Sequence, residues 1–143
     1  MITLQTDCLI LGGGLAGWMA AREAAAAGLK TMLLHDGMGA SPWVHGFNVP
    51  VYPEDSADIF LQDTLASGQG LSDPALARAL CQDAAEVFDE IRAMGLSFNR
   101  EKDGSYQALR PLGASWPRVV SIGNETGAAI LTRLKDGKRG RLY

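Results

Sequence analysis

The residues best suited to chemistry stand near the start of the chain, in the run Gly12-Gly13-Gly14-Leu15-Ala16-Gly17. Gly12, Gly14 and Gly17 have the spacing G-x-G-x-x-G, between a short apolar run and a run of strong helix formers. In that setting the spacing points to a dinucleotide. Gly12 permits the sharp turn out of the strand, Gly14 lets a diphosphate reach the backbone, and Gly17 lets helix pack on strand. The N–H groups around Leu15 and Ala16 open the helix, whose dipole adds partial positive charge there. A ribose-reading residue is expected about 20 residues further on, and His35 and Asp36 stand there. A histidine binds a hydroxyl less strongly than a carboxylate does, and a plain surface loop is the competing reading for His35. Arg110 and Arg118, among Pro111, Gly113 and Pro117, suit a carboxylate or phosphate; ordinary surface charge is the alternative.

The elements that must position these residues follow from pattern. Cys8 to Leu11 reads as a buried strand, Met19 to Ala27 as helix with Gly28 past its end, and Thr31 to Leu34 as a second strand. Residues 37–53 have no helical period. Trp43, Val44, Phe47 and Val49 make them a candidate buried loop where a flat ring could lie, or a core crossing with no ligand. Residues 55–66 read as a helix capped by Asp55 or Ser56. Residues 74–94 read as the clearest helix, with Asp73 as cap and Pro74 in first position. Its expected core stripe is Leu76, Leu80, Ala84, Val87, Phe88, Ile91 and Met94, with Gly95 ending it. Short strands are expected at Leu96 to Phe98, Tyr106 to Leu109 and Arg118 to Ile122, then a last helix over 125–134 capped by Asn124 or Thr126. No repeat or linker marks an internal boundary.

The chain has 143 residues, enough for one domain with a core, and 47% of them are hydrophobic. A net charge of −3 argues against general nucleic-acid binding. The basic tail from Lys135 to Arg141 reads as a solvated end. Cys8 and Cys81 read as buried free thiols in a reducing compartment, and no metal-ligand spacing occurs. The longest apolar run is broken by glycines and stops at Arg22, too short to span a bilayer. No basic leader precedes it, so the expected location is cytoplasmic, or peripheral at the inner membrane through a partner.

Taken in order, the later motifs resemble the N-terminal part of the fumarate reductase/succinate dehydrogenase flavoprotein family, which includes L-aspartate oxidases. Asp63-Thr64 followed by Gly68 to Pro74 looks like the family's D-T-x-x-x-G-x-G-L-x-D-P run. Leu80 to Met94 followed by Gly95 to Phe98 looks like its long helix and G-x-x-F turn. Arg110-Pro-Leu-Gly113, Pro117-Arg118 and Thr126-Gly127 match its R-P-x-G-G, P-R and T-G elements.

The resemblance implies an α/β fold, a Rossmann-like FAD-binding βαβ unit with additional helices and short strands, forming an incomplete domain over residues 1–143. It implies FAD with its diphosphate on Gly12, Gly13, Gly14, Leu15, Ala16 and Gly17, its ribose near His35 and Asp36, and its isoalloxazine near Ala40 to Asn48. Ser41, His45 and Gly46 fall in that last stretch. The family has a Gly-Gly pair where this chain has His45-Gly46, so a side chain stands where none is usual. Its covalent link needs a histidine where this chain has Gly39, so the FAD is expected to be non-covalent. Phe98 matches a phenylalanine close to substrate. The family has a further glycine and then histidine or glutamine where this chain continues Ala114-Ser115.

The implied chemistry is hydride exchange with a small dicarboxylate, succinate/fumarate or aspartate. The implied partner is an iron–sulfur or other electron-transfer subunit. No catalytic acid can be named, because the family carries it in a capping domain further along. Self-association through the helix stripe is an expectation if a sheet is missing. The competing reading is a non-catalytic nucleotide-binding or subunit-interaction module that kept the fold. A nicotinamide dehydrogenase is a weaker third.

Overall fold

The computed structural model describes residues 3–136. In chain order the elements are β1 (Cys8–Leu11), α1 (Leu15–Ala26), β2 (Thr31–Leu34), a 3-10 turn (Ser41–Trp43), β3 (Phe47–Asn48), α2 (Ala57–Ser67), α3 (Pro74–Ala93), β4 (Ala108–Leu109), β5 (Val119–Val120) and α4 (Thr126–Asp136). They fall into two compact units. One takes the chain up to Val44 and from Glu125 on, and the other is His45–Asn124. The chain crosses between them in ordinary loop sequence, which is why no linker composition betrays the division. Most of the basic tail, residues 137–141, lies outside the described residues.

The first unit holds the strand–helix–strand expected from the glycine run. β1 and β2 pair in parallel from Cys8↔Thr31 to Leu11↔Leu34. α1 covers one face, burying Trp18 and Ala21 against a sheet that contributes Leu33. Strand side chains alternate between faces, so Leu9, Leu11 and Leu34 point away from α1 and stay exposed. Gly28, with φ 81°, turns the chain after α1. α4 buries Ile130, Leu131 and Leu134 as its period predicts. Thr126 begins that helix and is itself fully buried.

In the second unit α2 is capped by Ser56, whose Oγ accepts the Ile59 N–H at 3.2 Å. Asp55, the other candidate cap, is engaged elsewhere. α3 begins as expected: Asp73 accepts the N–H groups of Ala75 at 2.8 Å and Leu76 at 3.1 Å, and Pro74 follows it. Its buried line is Ala77, Cys81, Ala84, Phe88 and Ile91. This corrects the expected stripe, because Leu76 is 72% exposed and Leu80 58% exposed. Small residues on the buried line let α2 come close, to 3.6 Å between Thr64 Oγ1 and Cys81 Sγ, and the bulkier leucines are turned outward.

The short strands form an antiparallel sheet in the order β3-β5-β4. Leu96 to Phe98 does not form the expected strand. Phe98 is held by ring packing instead, with its centroid 4.8 Å from that of Phe88, which also meets Tyr106 at 5.3 Å and Phe47 at 5.9 Å. The expectation of a buried loop over 37–53 fails in part. Val49 is buried, but Trp43 is 78% exposed and Val44 borders on solvent. A 3-10 turn carries Trp43 outward, and strand pairing takes in only Phe47 and Asn48.

Arg118 ties the second unit together. Its guanidinium is buried and donates from Nε and Nη2 to the two Asp55 oxygens at 2.7 Å each, and from Nη1 to Asp63 at 2.6 Å. Ser115 donates to Asp63 from its N–H at 2.8 Å and its hydroxyl at 2.7 Å. Burial opposes ionisation of Asp63, but the Ser115 N–H, the Arg118 guanidinium and the Ser115 hydroxyl together hold its carboxyl below the ordinary value. Burial likewise opposes the charge on Arg118, and the two carboxylates outweigh it and push its pKa up.

Removing one partner of a buried ion pair strands the other charge, so Asp55→Ala should destabilise the protein by about 3–5 kcal/mol in a denaturant titration. An unchanged midpoint would contradict this role. Because the Asp63 carboxyl is depressed in the folded state, its contribution is complete above the ordinary carboxylate value of about 4 and is lost as pH falls through the folded value. Melting temperature against pH should therefore fall less steeply on the acid side for Asp63→Asn than for the parent.

Candidate functional site

The glycine run leaves β1 at Leu11 and enters α1 at Leu15. Gly12 donates its N–H to the Leu34 carbonyl at 2.9 Å and takes φ 118°, a conformation that a side chain would strain. A Cβ on Gly17 would run into the Gly12 carbonyl oxygen, so the helix lies against the strand end only because that position is bare.

The helix has no cap of its own at Gly14. Its first N–H, that of Leu15, is taken by the Ser41 hydroxyl at 3.0 Å, reaching in from the 3-10 turn. The N–H groups of Gly13, Gly14, Ala16 and Gly17 donate to no acceptor among the described residues, and Gly13 is buried. A row of undirected donors at a helix start, next to open space over Gly12, can seat an anion. Ser41 fits the same purpose, since a hydroxyl that accepts from Leu15 still has its own hydrogen to donate.

His35 is exposed, as the surface reading has it, and its ring lies beside Gly13. A Cβ on Gly13 would lie 2.6 Å from the His35 ring and 2.6 Å from the Gly37 carbonyl oxygen. The ring is therefore laid against the loop, at the end of β2 where Asp36 follows. Gly13 stands at a position the fingerprint leaves free. The sequence signal for its constraint is its place in the middle of three consecutive glycines.

The other singled-out residues lie in the second unit. His45 is exposed, with Nδ1 3.2 Å from the Asn124 carbonyl. Gly46 has no room for a Cβ because the Val119 side chain lies against it. Phe98 is 6% exposed inside the aromatic cluster around Phe88. Arg118 is not offered to a ligand in this structure, whereas Arg110 is exposed. Arg118 is enclosed by the chain's own carboxylates, and Arg110 donates from Nε to the Ala114 carbonyl at 2.7 Å, closing its own turn. Buried Arg118 is therefore neither a free ligand arginine nor the ordinary surface charge of the alternative reading, while Arg110 stays at the surface.

The FAD binding domain family matches the chain over residues 7–141. The chain belongs to that family. Its relatives include a fumarate reductase (CoM/CoB) subunit of Methanothermobacter marburgensis, 31% identical and aligned over 92% of this chain. The L-aspartate oxidase of Vibrio cholerae is 32% identical, also over 92% of this chain. Among solved structures, an E. coli quinol fumarate reductase FrdA variant superposes with TM-score 0.87 at 25% identity, over 95% of this chain and 24% of its own. The chain spans about a quarter of the length of the relatives it matches, 26% of each of the first two.

These comparisons establish the fumarate reductase/succinate dehydrogenase and L-aspartate oxidase resemblance and the α/β fold. FAD is the cofactor of this family of oxidoreductases, and the unengaged N–H donors of Gly13, Gly14, Ala16 and Gly17 fit its diphosphate. Among the described residues, no helix is long and apolar enough to cross a membrane.

Gly13→Ala should cost about 1–3 kcal/mol, because the neighbour on one side is a backbone carbonyl that cannot move freely. Ser41→Ala should cost on the order of 1 kcal/mol, the usual loss for removing a helix cap. Thermal melts of the two variants check both. A Gly13→Ala protein as stable as the parent would mean the His35 ring is free to leave the loop.

Proposed function

We infer that the chain forms the diphosphate-binding part of an FAD-dependent oxidoreductase that exchanges hydride between flavin N5 and a small dicarboxylate. The observation that carries the reading is the set of unengaged N–H groups at Gly13, Gly14, Ala16 and Gly17, in a chain that belongs to the FAD binding domain family.

In this reading the backbone from Gly12 to Gly17 takes the diphosphate and Ser41 adds a hydroxyl beside Leu15. His35 and Asp36 face the ribose, and the segment from Ala40 to Asn48, with His45 and Gly46, borders the isoalloxazine. Phe98 shapes the substrate side. Gly39 offers no nucleophile for a covalent link, so the cofactor is held by hydrogen bonds and packing alone. Succinate/fumarate and aspartate are the substrate candidates, supported by the names of the relatives. A separate electron-transfer protein, iron–sulfur or other, is the proposed partner. Support comes from the fumarate reductase relative, which is by name one subunit of a larger enzyme. A cytoplasmic site of action, at the membrane only through such a partner, belongs to the same proposal.

The purified full-length protein should be yellow and should release all its flavin on acid precipitation. Flavin remaining with the precipitated chain would overturn the non-covalent reading, and a colourless protein that ignores added FAD would overturn the cofactor reading. Titration with ADP and NAD distinguishes the competing module. ADP binding as tight as FAD binding, with no change in the flavin spectrum, would favour a nucleotide-binding protein without redox chemistry.

A further inference from the structure

We propose that Met38 is a redox modification site. A peroxide converts its thioether to a sulfoxide, and Lys135 holds the new oxygen, fastening the segment between β2 and the 3-10 turn to the end of α4. The site lies within the first unit and does not depend on a bound nucleotide.

Among the described residues Met38 is the methionine most open to solvent. It is 38% exposed, whereas Met19, Met32 and Met94 are half-buried. An exposed thioether meets a dissolved oxidant first. Its side chain is nonetheless held. Lys135, in the last turn of α4, donates from Nζ to Met38 Sδ at 2.7 Å. The same ammonium lies 5.9 Å from the centroid of the Trp18 ring, a contact that keeps it over α1. A thioether sulfur is a weak acceptor. No carboxylate takes its place, since Lys135 enters no ion pair among the described residues. Trp18 adds a second donor, because its Nε1 is buried and has no acceptor. This neighbourhood has donors in excess and one poor acceptor.

Oxidation provides a better one. The Met38 sulfur attacks one oxygen of hydrogen peroxide, so that an S–O bond forms and the O–O bond breaks. The transferred oxygen passes its proton to the departing hydroxide, which leaves as water. Sulfur loses two electrons and the peroxide gains them. The sulfoxide oxygen then accepts a charge-assisted hydrogen bond from Lys135. The backbone can adjust to it, because Gly37 and Gly39 flank Met38, both at positive φ. The segment being fastened faces the glycine run. The Met38 carbonyl oxygen lies 3.7 Å from where a Cβ on Gly14 would stand, and Ser41 bonds the Leu15 N–H at 3.0 Å. A sulfoxide at Met38 therefore stiffens the chain on one side of that run.

The test treats the full-length protein with dilute hydrogen peroxide and follows it by peptide mass spectrometry and hydrogen–deuterium exchange. Met38 should gain its oxygen before Met19, Met32 and Met94. Exchange at the Trp43 and Val44 amides, which donate to the Ala40 and Ser41 carbonyls, should then slow about threefold or more. Methionine sulfoxide reductases should restore the original rate. In Lys135→Leu, Met38 should still oxidise but exchange should not slow. Met38→Gln, which places an amide oxygen near the position of the sulfoxide oxygen, should exchange slowly with no peroxide, and Met38→Leu should not respond to peroxide. Met38 oxidising no faster than the other three would overturn the proposal. So would an equal change in exchange with and without the Lys135 amine, or a Met38→Gln protein that exchanges like Met38→Leu. Circular dichroism identifies a Lys135→Leu protein that has failed to fold, and the two Met38 variants then decide: slower exchange in Met38→Gln supports the latch and equal exchange overturns it.

Discussion

The contact on which the first unit depends is backbone against backbone, where α1 begins over the end of β1. The Gly12 carbonyl occupies the space a side chain on Gly17 would need. That closeness brings the start of α1 over the strand end and aims its unpaired N–H groups at one place. The same economy of side chains recurs beside it, where Gly13 admits the His35 ring and Gly127 admits the turn at Ser41. The loop is bare because its neighbours are pressed onto it, and its capacity for an anion follows from the same bareness.

The second unit is stabilised in a different way. Its strands are two residues long and its sheet is small, so ladder hydrogen bonds alone cannot hold it. An aromatic cluster around Phe88 and a buried cation take that part. Arg118 is surrounded by Asp55, Asp63 and the face of Phe60, whose ring centroid is 4.8 Å away. Asp63 then fastens Ser115, so the loop from Arg110 to Arg118 is bound to α2 through one carboxylate. The D-T and P-R elements that mark the family meet here, and in this chain their visible work is structural. Buried charge of this kind stabilises little by net energy, but it penalises any other arrangement of the loop heavily.

Exposed apolar residues separate the two units further. In the first, Leu9, Leu11 and Leu34 form an uncovered sheet face, which parallel strands normally have covered. In the second, Leu76 and Leu80 stand outside α3. The chain spans about a quarter of its relatives' length, 26% of the first two.

Much of this was legible in the residues alone. Glycine spacing, the apolar runs on either side and the caps at Ser56 and Asp73 are local signals, because a turn, a strand and a helix end each depend on a few adjacent residues. They located β1, α1, β2 and α3 closely, and the order of later motifs indicated the family. What the tertiary structure decided was everything that depends on distant partners. Which side of α3 is buried is set by how closely α2 can approach, and that favours Ala77 and Cys81 over Leu76 and Leu80. Arg118 looks the same in sequence whether it faces a ligand or two aspartates 55 and 63 residues away. Gly13, His35 and Ser41 acquire meaning only once the chain folds back on the loop. Sequence spacing fixes conformation over a few residues, whereas burial and pairing are properties of a neighbourhood assembled from the whole chain.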